Sequence, residues 1–404
     1  MADRFSDGCE APGAVHPAPR FAAACAAAWE AGRSSRDNVS LDVARCGRPS
    51  DRVIAAMQRH LVAEQQIGGY EAEAAAAPQL DRARLMLAAM MGVPRGRVEF
   101  VANGTSAMAQ LLASWPWRPG MRVALPRSEF ASTRLVLERL AKRERLRPIV
   151  LQEDSAGRVA LDAFGRLVAG DSRPSLVVVS HVPSHRGIVQ PLPEIAELCS
   201  QAEARLVVDG CQSLGHVEVP CVGAAAVVGT SRKWLHGPRG VGFVAVEETL
   251  WEQLDGPPTL QTHASRPEGQ ARLANAPALE LSEAAVAARL GLATALEETG
   301  ELVSDVAQHV LAIGRSIRHG LREIPGWRLR EGPDEPTALV TFDAPSDETL
   351  SRVLVRLRER GIHAGQVPAG RALDLPRSIL RLAPEPVAGL DWLETVRDVL
   401  ARAR

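Results

Sequence analysis

Lysine is nearly absent from this chain of 404 residues: Lys142 and Lys233 are the only two, although Lys and Arg together number 47. Arginine carries surface charge equally well, but its guanidinium stays protonated and forms no reversible imine, whereas an amine can. Lys233, in Gly229-Thr-Ser-Arg-Lys-Trp-Leu-His-Gly-Pro-Arg-Gly240, is therefore a candidate Schiff-base lysine. The other reading is a coding bias toward arginine that left two lysines at random, so the surroundings of position 233 decide. Asp209 ends the apolar run Leu206–Val208, where a carboxylate can pair with a protonated ring nitrogen or simply open a tight turn with Gly210. Asn103-Gly-Thr-Ser106 is a small-residue turn opening a helix; its N–H groups, with the hydroxyls of Thr105 and Ser106, suit a phosphate, or merely cap the helix. Thr230 and Arg232, beside Lys233, suit a phosphate as well. Together these groups are what a pyridoxal phosphate site needs: an imine-forming amine, an acid for the pyridine nitrogen and an anion cradle.

Such groups must be held by a scaffold, and the pattern of apolar runs predicts one. Helices are expected over Arg52–Gln66, Pro78–Met91, Ala107–Ser114, Ser132–Arg143 and Leu192–Ala202, with one more around Pro19–Ala31. Strands are expected at Val98–Val101, Arg122–Leu125, Ser175–Ser180, Leu206–Val208, Ala225–Gly229 and Gly242–Val246. Short, continuously apolar strands alternating with amphipathic helices indicate an α/β fold with a mostly parallel sheet covered on both faces. Ligands bind such sheets beyond the carboxyl ends of the strands, where Asp209, Thr230 and the 103–106 turn fall. From about Val303 the texture changes to a smaller α+β unit, with strands at Trp327–Arg330, Ala338–Phe342 and Ser378–Leu382, the helix Asp347–Arg360 and a last helix. The expected division is an N-terminal segment 1–37, a large domain 38–300 and a small domain 301–404.

A net charge of −1 argues against nucleic acid or an anionic membrane as partner, and no stretch reads as a membrane span or signal peptide, so a cytoplasmic protein is expected. The six cysteines, Cys9, Cys25, Cys46, Cys199, Cys211 and Cys221, include no Cys-x-x-Cys pair, and the ten histidines show no ligand spacing; neither a disulfide framework nor a metal site is indicated.

Val207-Val-Asp-Gly-Cys-Gln212 and Thr230-Ser-Arg-Lys-Trp-Leu-His-Gly-Pro-Arg-Gly-Val-Gly-Phe243 resemble the hallmark stretches of class V aminotransferase-like, fold type I pyridoxal phosphate enzymes, and the likeness runs from about residue 38 onward. The resemblance implies Lys233 as the Schiff-base lysine, Asp209 at the pyridine nitrogen and Gln212 at the cofactor's phenolic oxygen. It implies Gly104, Thr105, Ser106, Thr230 and Arg232 around the phosphate. Phe130, in Ser128-Glu-Phe-Ala-Ser132, matches the residue whose ring stacks on the pyridine; core packing is the alternative. Ser184 stands where many relatives have a cofactor-contacting Asn, and Arg381, in Leu380-Arg-Leu-Ala-Pro384, matches the arginine that grips a substrate carboxylate.

Ile67-Gly-Gly-Tyr-Glu-Ala-Glu73, Ser184-His-Arg-Gly-Ile-Val-Gln-Pro191 and Leu41-Asp-Val-Ala-Arg-Cys-Gly-Arg48 are similar to the ergothioneine-pathway C–S lyases and to related enzymes of lincosamide-type pathways acting on thiol conjugates. Tyr70, the only tyrosine, either donates a proton or hydrogen bond in the site or packs with its hydroxyl at the surface. His185 and Arg186 either bind substrate or fix their loop, and Arg48 is a further substrate-binding candidate. Cysteine desulfurases of this family need a cysteine in the small domain, and none follows Cys221. Relatives often send a Thr from the second subunit to the phosphate; Leu281-Ser-Glu-Ala284 has none, and Ser282 is the one hydroxyl there. The resemblance implies a homodimeric pyridoxal phosphate C–S lyase acting on a cysteine, or cysteine sulfoxide, S-conjugate. A class V aminotransferase, epimerase or decarboxylating enzyme is the alternative.

Overall fold

The computed structural model describes residues 26–34, 38–93, 96–255, 279–280, 283–387 and 389–403, without the side chains of 301–305. Most of the helix expected around Pro19–Ala31, together with Cys9, Cys25 and Ser282, lies outside them; residues 26–31 are helical. Three strands of five residues, buried throughout, explain the centre. β5 (Leu176–Ser180), β7 (Ala226–Thr230) and β8 (Gly242–Val246) are buried at every residue. They belong to a seven-stranded sheet completed by β2 (Arg97–Val101), β3 (Arg122–Pro126), β4 (Arg147–Leu151) and β6 (Arg205–Asp209) in the order β2-β8-β7-β6-β5-β3-β4. β8 alone runs against the other six strands.

Alternate residues of each strand enter different cores, as the two-residue period requires. Val177, Val179, Val208 and Phe243 face the helices α3 (Gly69–Met90), α7 (Leu192–Gln201) and the first part of α9 (Val286–Leu321). Val178, Val207, Val228 and Val244 face α4 (Gly104–Ala113) and α5 (Ala131–Arg143). The remaining helices of this part are α1 (Val43–Cys46), α2 (Asp51–Ile67), α6 (Leu161–Ala169) and α8 (Glu248–Trp251).

A second sheet has the order β1-β11-β12-β10-β9, from β1 (Val39–Leu41), β9 (Arg328–Leu329), β10 (Val340–Asp343), β11 (Ile362–Val367) and β12 (Ile379–Leu382). It packs on α10 (Asp347–Glu359), α11 (Asp391–Ala401) and the far end of α9, through Ile313, Ile317 and Leu321. One helix thus serves both cores and passes through residue 300 without a break.

Two local expectations are corrected. α3 begins at Gly69 rather than Pro78, because the run Ala72–Ala77 is the best helix-forming composition available and its buried Ala72 and Ala76 continue the stripe of Leu80, Ala83 and Leu87; packing outweighs the bond that Pro78 removes. α4 begins at Gly104 rather than Ala107, because Asn103 and Ser106 form a reciprocal capping box: Ser106 N donates to Asn103 Oδ1 at 2.9 Å, and Asn103 N to Ser106 Oγ at 3.0 Å.

Candidate active site

β7 ends at Thr230 and β8 starts at Gly242, so Lys233 lies in a connection between antiparallel neighbours that must be closed tightly. Ser231 N donates to Val241 O, Gly237 N to Ser231 O and His236 N to Lys233 O. Gly47 N donates to Arg232 O at 2.8 Å from the other side, and a Cβ on Gly47 would come within 2.6 Å of Lys233 O, so only glycine permits that approach. The backbone at Lys233 is therefore fixed, and its side chain enters a cavity of ≈ 400 Å³.

The cavity lies beyond the carboxyl ends of the parallel strands, where the topology predicts it. Gly104, Thr105, Phe130, Ser184, Asp209, Gln212, Thr230, Arg232 and Lys233 all line it, each an expected cofactor neighbour. Burial chiefly lowers the Lys233 amine, against the opposing pull of Cys211 and Asp209; a neutral amine is what imine formation requires. Asp209 Oδ1 accepts from Cys211 N at 2.8 Å, which aims the carboxylate. Gln212 is 3 % exposed; its Oε1 accepts from Trp234 Nε1 at 3.0 Å and its Nε2 donates to Ala44 O at 2.9 Å, leaving one amide hydrogen.

Other candidates are placed elsewhere. Ser106 is taken up by the capping box. Arg381, 6 % exposed, donates to Ser184 O at 3.0 Å and Asp42 Oδ1 at 2.9 Å; burial lowers it, Asp42 opposes this, and its charge is close enough to act on Lys233. His185 and Arg186 turn to Asp374, at 2.7 and 3.2 Å, and Arg48 pairs with Glu385. Tyr70, in the first turn of α3, is 76 % exposed.

Several neighbours have no counterpart in the sequence reading. Ser132 and Thr133 line the cavity, and the Ser132 hydroxyl is buried without a partner. Glu129, 1 % exposed, accepts from Phe130 N at 2.9 Å, Ser180 N at 2.7 Å and Ser180 Oγ at 2.8 Å; burial and the nearby Asp209 push it up to about 7. Glu129 and Asp42 do lie inside the quoted stretches Ser128–Ser132 and Leu41–Arg48, but Ser180 and Arg381, which they meet, lie far off along the chain. Asp374 has no local signal at all.

Pyridoxal phosphate fits this donor set. An amine and a carboxylate share one cavity, a helix amino end opens into it at Asn103, Gly104 and Thr105, and the orphaned Ser132 hydroxyl awaits a partner. A Cβ on Gly104 would lie 2.3 Å from Cys211 Sγ, so the cradle is shaped by the absence of a side chain there.

The sequence model of the family "Aminotransferase class-V" matches residues 41–376. A probable hercynylcysteine sulfoxide lyase of Mycobacterium tuberculosis (strain CDC 1551 / Oshkosh) is 36 % identical over 380 residues, 93 % of this chain and 92 % of that protein. Among solved structures, the apo cysteine desulfurase from Thermococcus onnurineus NA1 superposes with a TM-score of 0.78 at 20 % identity, over 90 % of this chain and 94 % of its own. The cysteine desulfurase CsdA from Escherichia coli gives 0.78 at 18 %, over 93 % and 98 %. A cavity built around Lys233 and Asp209, in the fold these structures share and under a family match that takes in the first sheet and part of the second, places the chain in the class V aminotransferase family of pyridoxal phosphate-dependent enzymes.

Proposed function

We propose that this enzyme is a carbon–sulfur lyase that cleaves a cysteine, or cysteine sulfoxide, S-conjugate by β-elimination, releasing a thiol or sulfenate together with pyruvate and ammonia. The observation that carries this reading is the 36 % identity to the hercynylcysteine sulfoxide lyase over nearly the whole of both chains. The lack of any cysteine beyond Cys221 fits, because elimination needs no protein persulfide.

Bound pyridoxal phosphate supplies an electron sink for the charge left when the α-proton departs. The chain's own groups do the rest. Lys233 Nζ, lowered by burial, holds the cofactor and then takes the α-proton. Asp209 would keep the ring nitrogen protonated, the free hydrogen of Gln212 Nε2 would serve the phenolic oxygen, and Phe130 would cover the ring. Thr105, Thr230 and Arg232, with the amino end of α4, take the phosphate, and Arg381 orients the substrate carboxylate by paired charge-assisted bonds. Second copies of the chain are proposed to pair through α2 and α3, where Ile54, Leu61, Val62, Ile67, Tyr70 and Leu85 are 40–76 % exposed. Any part Tyr70 plays in a site then depends on that pairing. No described helix is long and apolar enough to cross a membrane, and a cytoplasmic setting agrees with the free thiols of Cys46, Cys199, Cys211 and Cys221.

The test is a mass balance on purified holoenzyme with cysteine S-conjugates. Pyruvate appearing one for one with thiol or sulfenate is expected; a retained carbon skeleton would make the enzyme an aminotransferase or epimerase instead. Lys233→Ala should lose both turnover and the visible absorbance of lysine-bound cofactor, while Lys142→Ala keeps both. Loss of that absorbance in the Lys142 variant would overturn the site.

A further inference from the structure

The connection between β11 and β12 leaves the second sheet and is fastened at three places to loops that carry cavity residues. Ala131 N donates to Arg371 O at 2.9 Å and Leu373 N to Arg127 O at 3.0 Å, joining it to the loop that carries Phe130. Asp374 holds His185 and Arg186, joining it to the loop that starts at Ser184. Phe130 and Ser184 both line the cavity, so this segment is fastened to two of the loops that wall it.

Arg371 stands at the centre of that arrangement. Its guanidinium carbon lies 5.2 Å from the Phe130 ring centroid, within cation–π range, and the residue is half-buried. Among the described residues no carboxylate pairs with it, although Arg33, Arg48, Arg158, Arg186 and Arg330 are all paired or bonded. Arg371 and Arg45 both act on Arg381, which has Asp42 as its bonded carboxylate. An α-carboxylate on Arg381 would leave the unpaired Arg371 guanidinium for a second anion. A guanidinium whose backbone and ring contact are already fixed loses little freedom on binding, and its planar fork matches a carboxylate.

We propose that Arg371 is a substrate-specificity residue that binds a second carboxylate, carried on the sulfur-borne part of the substrate. This rests on the C–S lyase reading for the identity of the substrate, though not for the binding itself.

Binding is tested without turnover by titrating holoenzyme calorimetrically with L-2-aminoadipate and L-norleucine, amino acids that have no β-leaving group and differ by a terminal carboxylate. The wild-type protein should bind aminoadipate more tightly by roughly tenfold or more, the range of a charge-assisted contact. Arg371→Gln should abolish the preference with norleucine affinity unchanged, and Arg371→Lys should restore part of it. Equal affinities in the wild type, a preference surviving in Arg371→Gln, or equal weakening of both ligands, as a purely structural role would give, overturns the proposal. With S-(2-carboxyethyl)cysteine and S-propylcysteine, Arg371→Gln should raise KM for the first alone and leave kcat in place. If neither compound nor its sulfoxide yields pyruvate, the lyase reading falls, while the titrations still decide the role of Arg371.

Discussion

Glu129 receives three hydrogen bonds that favour its charged form, yet burial and the Asp209 charge outweigh them and hold it at about 7. A carboxyl raised above its unfolded value favours the protonated native state, so the stabilisation is complete below about pH 4.5 and is lost as pH rises through 7. Glu129→Gln keeps an acceptor but cannot ionise. Thermal midpoints of the two proteins across pH 4.5–7.5 should therefore diverge, with the wild type losing stability relative to the variant as pH rises; parallel curves would show that Glu129 does not titrate there. At this scale legibility followed sequence locality. Lys233 stood out by the rarity of its type and Asp209 by ending an apolar run, whereas Glu129, Asp42 and Asp374 act through partners that no local pattern reveals.

α9 carries a charge across the junction of the two sheets. Arg318 is 0 % exposed and donates to Thr337 O at 2.8 Å, Thr337 Oγ1 at 2.6 Å, Leu339 O at 2.8 Å and Glu335 O at 3.1 Å. Thr337 Oγ1 in turn donates to Gly187 O at 2.8 Å, and a Cβ on Gly187 would lie 1.8 Å from Leu339 O. The loop bearing Ser184 is thus set against the second sheet through α9. Arg318→Met should lower stability in urea by about 3–5 kcal/mol, because it strands several buried acceptors, and Arg318→Lys should recover only part. A loss below about 1 kcal/mol would mean those carbonyls find other donors. Buried strands such as β5 and β7 were legible as apolar runs. β4 was not, because it is an edge strand with exposed Arg147, Pro148 and Val150, and β11 was hidden by its Gly and polar positions.

Across the whole molecule, the division of the chain by sequence order is not the division by sheet. β1 pairs in parallel with β11, matching Val39 with Ile362 and Leu41 with Ala364, and Asp42 bridges to Ala383. Arg48 with Glu385 and Asp42 with Arg381 are separated by 337 and 339 residues. No strand is expected from the sequence at 39–41, three residues being too short for a period to show, and nothing local names a partner so far along the chain. Contacts of such separation form late, because loop closure must precede them. In refolding from urea, far-ultraviolet dichroism should recover ahead of cofactor binding, and coincident recovery would show that the cavity does not wait for this closure. The same pairing fixes when activity can begin during synthesis: Lys233 and Asp209 are made early, but the Arg381 face is absent until β12 has left the ribosome and found β11 and β10. Under the roles proposed above, a nascent chain carries the amine of Lys233 before it carries the group that would orient a substrate.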